Sequence, residues 1–242
     1  MSREDLDVYF SYVKRRKSGE PIAYILGRRE FYGLDFFVSP DVLIPRSDTE
    51  VLVDKVLEFM NQKPNTNFRI VDIGTGSGCV LLSILSQNKF CTGIGVDISG
   101  SALKIAKQNA ENLGLLGRVT FVDADILTFN AAKIHEMTDK NCVNILVSNP
   151  PYIMPDVINQ LDKSVKDFEP HLALNGGSDG LIFYRKFADF IGAFGAIFVE
   201  IGFDQGAEVG EIFLQCTDGA VQCYQDFGGN DRVISALCFL PI

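Results

Sequence analysis

The chain has 242 residues, 47% of them hydrophobic and 22% charged, enough for one globular domain with a full core and a small accessory segment. Its formal net charge of −9 argues against a broad phosphate-binding surface, since nucleic-acid affinity rests largely on Lys and Arg; no direct nucleic-acid partner is expected. No apolar run approaches the roughly 20 residues that span a bilayer, and the opening "MSREDLDVYF" lacks the basic-then-apolar pattern of a secretory signal. The expectation is a monomer with no membrane partner, in the cytoplasm or an organellar matrix.

In chain order, Arg3 to Ser18 reads as an amphipathic helix with Leu6, Tyr9, Phe10 and Val13 on one face and Gly19 as its stop. Two extended runs are expected around Ala23–Leu26 and Phe36–Val38, with "GRREFYGL" between them, as a hairpin-like element. A helix follows from about Asp48 to Asn61. From there short apolar strands ("RIVDI", "TGIGVDI", "RVTFVDA", "VNILVS") alternate with helical segments such as "SALKIAKQNAENLG". Further on, "GLIFYRKFADFIG" and "DQGAEVGEIFLQ" read as helices on either side of the strand "GAIFVEI". The tail "AVQCYQDF" and "RVISALCFL", joined by "GGND", reads as two closing strands. Such alternation predicts an α/β, doubly wound, mostly parallel sheet with helices on both faces and an antiparallel hairpin at one edge.

The six cysteines (Cys79, Cys91, Cys142, Cys216, Cys223, Cys238) form no C-x-x-C pair, and no His lies at ligand spacing, so neither a metal site nor a disulfide framework is expected. All but Cys142 lie in apolar runs and are expected to be buried thiols. His135 and His171 are read as surface or loop residues.

"VDIGTGSGCV" places Gly74, Thr75, Gly76, Ser77 and Gly78 between a strand and a helix, where glycine permits positive φ and close backbone approach to a ligand. Cys79 breaks the G-x-G-x-x-G dinucleotide spacing, and no Gly-Lys-Ser/Thr follows, so neither a dinucleotide nor a phosphate loop is indicated. Asp97 ends the next strand at the interval where an acid meets ribose hydroxyls. It could instead cap the following helix, a role that Ser99 fills equally well. Asp125, after the third strand, could accept from an adenine amino group with Ile126 against the ring, or be a solvated loop acid. The combination fits an adenosine cofactor lacking a pyrophosphate, with S-adenosylmethionine as leading candidate.

The fourth strand stops abruptly in "VSNPPYI", where two prolines remove backbone donors and fix φ. With the strands in this order, its end lies beside the glycine loop, at the switch point where doubly wound sheets bind ligands. The Asn149 side-chain oxygen and the Pro150 carbonyl then form two acceptors for the two N–H bonds of a planar NH2 group, which Tyr152 would cover. An amide or aromatic amine is a poor nucleophile, and holding both N–H bonds would aim it at a methyl donor.

Together with "NPPY", the stretches "RRKSGEPIAYILGRREFYGLDFFV", "VLIPRSDTEVLV", "DIGTGSG", "DISGSALKIAKQNA", "FEPHLALNGGSDGLIFYRK", "VEIGFDQG" and "DRVISA" resemble the HemK/PrmC family over almost the whole chain. These are protein-(glutamine-N5) methyltransferases acting on class-1 peptide chain release factors. The resemblance implies a seven-stranded, Rossmann-like class I methyltransferase fold. It further implies that Asn149, Pro150, Pro151 and Tyr152 bind a glutamine amide, and that residues 74–78, Asp97, Ile126 and Asn149 contact S-adenosylmethionine. The release factor's Gly-Gly-Gln loop is the implied acceptor.

The family's "PRPETE" reads Pro45-Arg46-Ser47-Asp48-Thr49-Glu50 here, and Ser47 is shared with the sister enzymes that methylate ribosomal protein L3. The family normally begins with several helices that grip the release factor; this chain carries what resembles the last of them. Residues 1–41 are therefore expected to be a remnant of that domain plus a hairpin linker, and residues 42–242 the methyltransferase domain. Competing expectations are an L3 glutamine methyltransferase, an adenine-N6 methyltransferase of DNA or RNA, and a non-catalytic cofactor-binding subunit.

Overall fold

The computed structural model describes residues 2–238. Helix α1 (Arg3–Lys17) begins at a reciprocal capping box between Ser2 and Asp5, with acidic residues in its first turn and basic ones in its last, all favourable to the helix dipole. None of its residues is buried, and the Leu6, Tyr9 and Phe10 face is open at 40%, 56% and 62% exposure.

The segment Ala23–Leu26 is not extended as the sequence pattern predicts. It belongs to a short helix α2 (Ile22–Leu26), entered from Pro21 and stopped by Gly27 at φ 70°. Start and stop signals five residues apart override the strand preference of Ile and Tyr. The first strand is instead built from residues read as spacer, β1 (Arg28–Phe31), and pairs across Tyr32–Gly33 with β2 (Leu34–Phe37), which overlaps the expected second run at Phe36 and Phe37. Both turn residues are left-handed, at φ 53° and 73°, as a two-residue hairpin turn requires. Tyr32 is held in that conformation by Glu50, which accepts from its N–H at 3.0 Å, and by Asp54, which accepts from its phenol at 2.8 Å. The inward residues of this hairpin, Phe31 and Phe36, join the main core.

A 3-10 turn (Ser47–Thr49) leads into α3 (Glu50–Asn61). There follow β3 (Phe68–Ile73), α4 (Cys79–Gln87), β4 (Cys91–Asp97), α5 (Gly100–Asn112), β5 (Val119–Asp123), α6 (Ala131–His135) and β6 (Val143–Ser148). Two short helices, α7 (Pro155–Ile158) and α8 (Lys163–Lys166), precede α9 (Ile182–Ala188), β7 (Ala196–Glu200), α10 (Gly206–Leu214), β8 (Val221–Gln225) and β9 (Asp231–Leu237). The seven-stranded sheet has the order β5-β4-β3-β6-β7-β9-β8, with every pairing parallel except the two made by β9, which runs against the other strands. The doubly wound fold with an antiparallel edge hairpin is as expected.

Side chains of the central strands alternate between two cores. Ile70, Ile145, Val147 and Phe198 pack with α3 and α4 on one face; Val71, Ile73, Leu146, Ile197 and Val199 pack with α6, α9 and α10 on the other. Helix α9 is shorter than "GLIFYRKFADFIG" predicts, because the chain breaks into a separate 3-10 turn at Ile191–Ala193. The cysteines also depart from expectation. All six are free, but only Cys91 is buried; Cys216 follows α10 and Cys223 lies on edge strand β8, both exposed. Cys223 sits on an edge strand with one covered side and Cys216 past the end of a helix, so apolar neighbours mislead at both.

Candidate active site

Between β3 and β6 the sheet changes direction, because β4 and β5 are laid down on one side of β3 and β6 on the other. The two strands are tied there by the Ser148 hydroxyl, which donates to the Ile73 carbonyl at 2.6 Å. Above this junction lies a cavity of about 380 Å³, the size range of a small-molecule site. Gly74, Thr75, Gly76, Ser77, Asp97, Asp125, Ile126, Asn149, Pro150 and Pro151 all line it. Gly78 and Tyr152 are not among the lining residues. Gly78 is buried under Leu82 at the start of α4, and the Tyr152 ring packs against the second core.

The glycine loop presents backbone. Gly74, Gly76 and Gly78 have φ of 72°, 54° and 80°, and a Cβ on Gly74 would meet nothing within 4 Å. Opposite it, Asp97 has one carboxylate oxygen on the Gly76 N–H (2.8 Å) and the other on the Ser99 N–H (2.9 Å). Ser99 itself caps α5 through Ala102, so Asp97 is not the cap. Burial pushes the Asp97 carboxyl up, and these two N–H donors restrain the rise. Asp125 caps the 3-10 turn that follows it, accepting from Leu127 N–H at 2.9 Å, while Ile126 beside it is buried. In the cavity floor Asp72 accepts from the Thr75 hydroxyl at 2.6 Å, yet complete burial still raises it to about 7.

On the other wall, Asn149 donates through Nδ2 to the Thr49 hydroxyl at 3.2 Å. Glu200, at the end of β7, stands behind Thr49. Burial raises it to about 7, opposed by the Thr49 hydroxyl and by the Arg232 charge. The rim is clasped by an ion pair between Arg46 and Glu169 at 2.6 Å. His171 is exposed, with its ring on the Lys166 carbonyl, and His135 is exposed on α6, as the sequence suggests.

Comparison with known proteins gives this arrangement a context. A methyltransferase-domain family model matches residues 64–172, and a PrmC N-terminal-domain model matches residues 1–27. A release factor glutamine methyltransferase of Agrobacterium fabrum is 41% identical over 229 residues, spanning 92% of this chain and 76% of that relative. The chain belongs to the release factor glutamine methyltransferase family. The relative of the same name from Bacillus subtilis is 38% identical over 244 residues, covering 98% of this chain and 82% of its own. At the level of fold alone, the human methyltransferase 10 domain containing protein superposes with a TM-score of 0.58 at 14% identity, over 87% of this chain and 90% of its own.

Several residues that shape this family member's site are not evident from sequence reasoning. Thr49 and Glu200 carry no local signal of contact with Asn149. Gly176 and Gly180 hold the Pro-Pro-Tyr backbone from behind: a Cβ on them would lie 2.6 Å from Tyr152 Cα and 2.4 Å from the Tyr152 carbonyl oxygen. The stretch "NGGSDG" that contains them could have signalled such an approach, since a cluster of glycines marks positive φ or close backbone contact.

Proposed function

We propose that this protein transfers a methyl group from S-adenosylmethionine to the side-chain amide nitrogen (N5) of the glutamine in a class-1 release factor's Gly-Gly-Gln loop. The observation that carries the proposal is that Asn149 and Pro150 share one cavity with the glycine loop and Asp97. The cavity fits the cofactor: a backbone cradle that any Cβ on Gly74 would project into, a buried Ile126 for a ring, and an acid with unused lone pairs. Residues 74–77, Asp97, Asp125, Ile126 and Asn149 would hold it, with Gly78 turning the chain into α4 behind them. Bound there, S-adenosylmethionine supplies an electrophilic methyl group on a sulfonium.

The chain's own contribution is placement. An amide nitrogen is weakly nucleophilic because its lone pair is delocalised. Asn149 and the Pro150 carbonyl grip its two N–H bonds and hold it in an attacking orientation. Apolar walls keep water out, which favours loss of charge at a sulfonium. Tyr152 acts from outside the cavity, stiffening the loop through its packing on the core. Residues 1–41 act as a docking element for the release factor, with the open apolar face of α1 available for contact, and residues 42–242 form the methyltransferase domain.

The test is incubation with labelled S-adenosylmethionine and, in parallel, release factor, ribosomal protein L3 and DNA. Label on the release-factor glutamine is expected. Label only on L3 or only on DNA would overturn the assignment.

A further inference from the structure

A carboxamide has two faces of opposite character, and only its oxygen can accept from the NH2 of an acceptor amide. Nothing in the shape of Asn149 decides which face meets the cavity. The decision falls to Thr49, brought from 100 positions earlier in the chain to within 3.2 Å of Asn149 Nδ2. Thr49 is only 2% exposed, so no solvent competes for its hydroxyl. That hydroxyl has one proton, and it can either give it to Asn149 or receive one from it.

Glu200 breaks this symmetry. It is 2% exposed and its Oε2 has no hydrogen-bond partner, so the Thr49 hydroxyl, the neutral group that favours its ionised form, is the donor open to it. An ionised carboxyl accepts and cannot donate. Once the Thr49 proton is committed to Glu200, only the lone pairs of Thr49 remain for Asn149, which must then turn its NH2 toward Thr49 and its oxygen toward the cavity. The charged and phenolic groups around Glu200 are Arg232, Arg46, Asp48, Tyr152 and Tyr184; the two guanidiniums favour the ionised form that this requires.

We infer that Thr49, with Glu200 behind it, is a positioning pair that locks the Asn149 carboxamide with its oxygen facing the acceptor amide. This rests on the reading of Asn149 as the amide acceptor. Neither residue touches the reacting atoms; both act through Asn149. The arrangement makes the site selective for NH2-bearing acceptors, since a flipped Asn149 would oppose donor to donor.

The experiment separates the two layers. At pH 8, where Glu200 is ionised, the side-chain NH2 signal of Asn149 is assigned in 15N-labelled protein by its loss in Asn149→Ala. Thr49→Val should shift that signal and broaden it as the amide begins to flip, whereas Thr49→Ser should leave it in place. In kinetics with release factor, Thr49→Val should lower kcat by about tenfold or more with cofactor affinity unchanged, and Thr49→Ser should rescue it. In the Asn149→Ala background Thr49→Val should have no further effect. Glu200→Gln, whose amide can donate to Thr49, should give the same broadening. An unshifted Asn149 signal in both Thr49→Val and Glu200→Gln overturns the inference, as do multiplicative effects of Thr49→Val and Asn149→Ala. Should Thr49→Val not fold, Thr49→Ala carries the same expectations. Failure of the wild-type protein to methylate release factor would instead overturn the functional reading, which the NMR result does not depend on.

Discussion

On the glycine-loop side of the cavity, the groups facing inward are held by close neighbours in sequence: Gly76 and Asp97 meet across one βα unit, and Asp97 takes its second donor from Ser99. On the Asn149 side the holding contacts come from far along the chain, with Thr49 on Asn149 and Arg46 on Glu169. The first wall is mostly backbone and is specified by one loop. The second is mostly side chains whose orientation is borrowed from other segments. A backbone cradle can be formed by any chain with the right glycines, whereas the borrowed wall depends on the whole fold being complete. Cofactor binding and acceptor handling should therefore respond to mutation separately.

The largest separation is expected for Asn149→Ala. Turnover on release factor should fall by about a hundredfold or more, since a preorganised acceptor is lost, while calorimetry should find cofactor affinity within about threefold of the parent. Asn149→Asp should recover part of the turnover, because its oxygen still accepts. The opposite pattern is expected for Asp97→Ala: affinity for S-adenosylmethionine, measured by the same titration, should fall by at least about tenfold, since charge-assisted bonds contribute roughly 1.5–3 kcal/mol each. If both variants lost both properties equally, the two walls would not be independent.

A smaller effect sharpens the point about borrowed support. Gly180→Ala places a Cβ 2.4 Å from the Tyr152 carbonyl at φ 75°, whereas Gly114→Ala has a similar φ of 69° and nothing within 4 Å. Urea unfolding should show a loss on the order of 1 kcal/mol for Gly114→Ala and about 2–3 kcal/mol for Gly180→Ala, with turnover impaired only in the latter.

A pH dependence of stability is expected on the cradle side. Burial lifts Asp72 from 3.8 to about 7, so the folded chain keeps a proton that the unfolded chain has released. The native state is therefore penalised progressively as pH rises from about 4 to about 7, and the penalty persists above that window. Asp72→Asn escapes it: its Tm should match the parent's at the acid end of the window and exceed it at pH 8. Equal melting at both ends would mean that Asp72 is solvated in the native state.

How much of this was legible in sequence follows the same division. The strands from Phe68 to Ser148, the glycine loop and the position of Asn149 at the switch point are all visible, because hydrophobic period and local turn chemistry specify them. The segment Ala23–Leu26 was misread because a five-residue helix is set by its Pro21 and Gly27 boundaries rather than by period. Cys216 and Cys223 are misread because apolar neighbours do not reveal a helix end or a sheet edge. Thr49, Glu200, Gly176 and Gly180 were invisible as site residues, since each matters only through a partner that the fold supplies from elsewhere.

The position of β9 has a consequence for how the molecule is born. Glu200 is paired with Val233 of β9, which lies between β7 and β8. A ribosome delivers β3, β4 and β5, and with them the glycine loop and Asp97, when β9 still awaits translation. Domains generally fold as units, so this sheet closes only after its last strands have been delivered. The carboxyl that fixes Asn149 gains its walls only when β9 slots into the gap beside β7. The acceptor wall is therefore the last part of the site to be completed during synthesis.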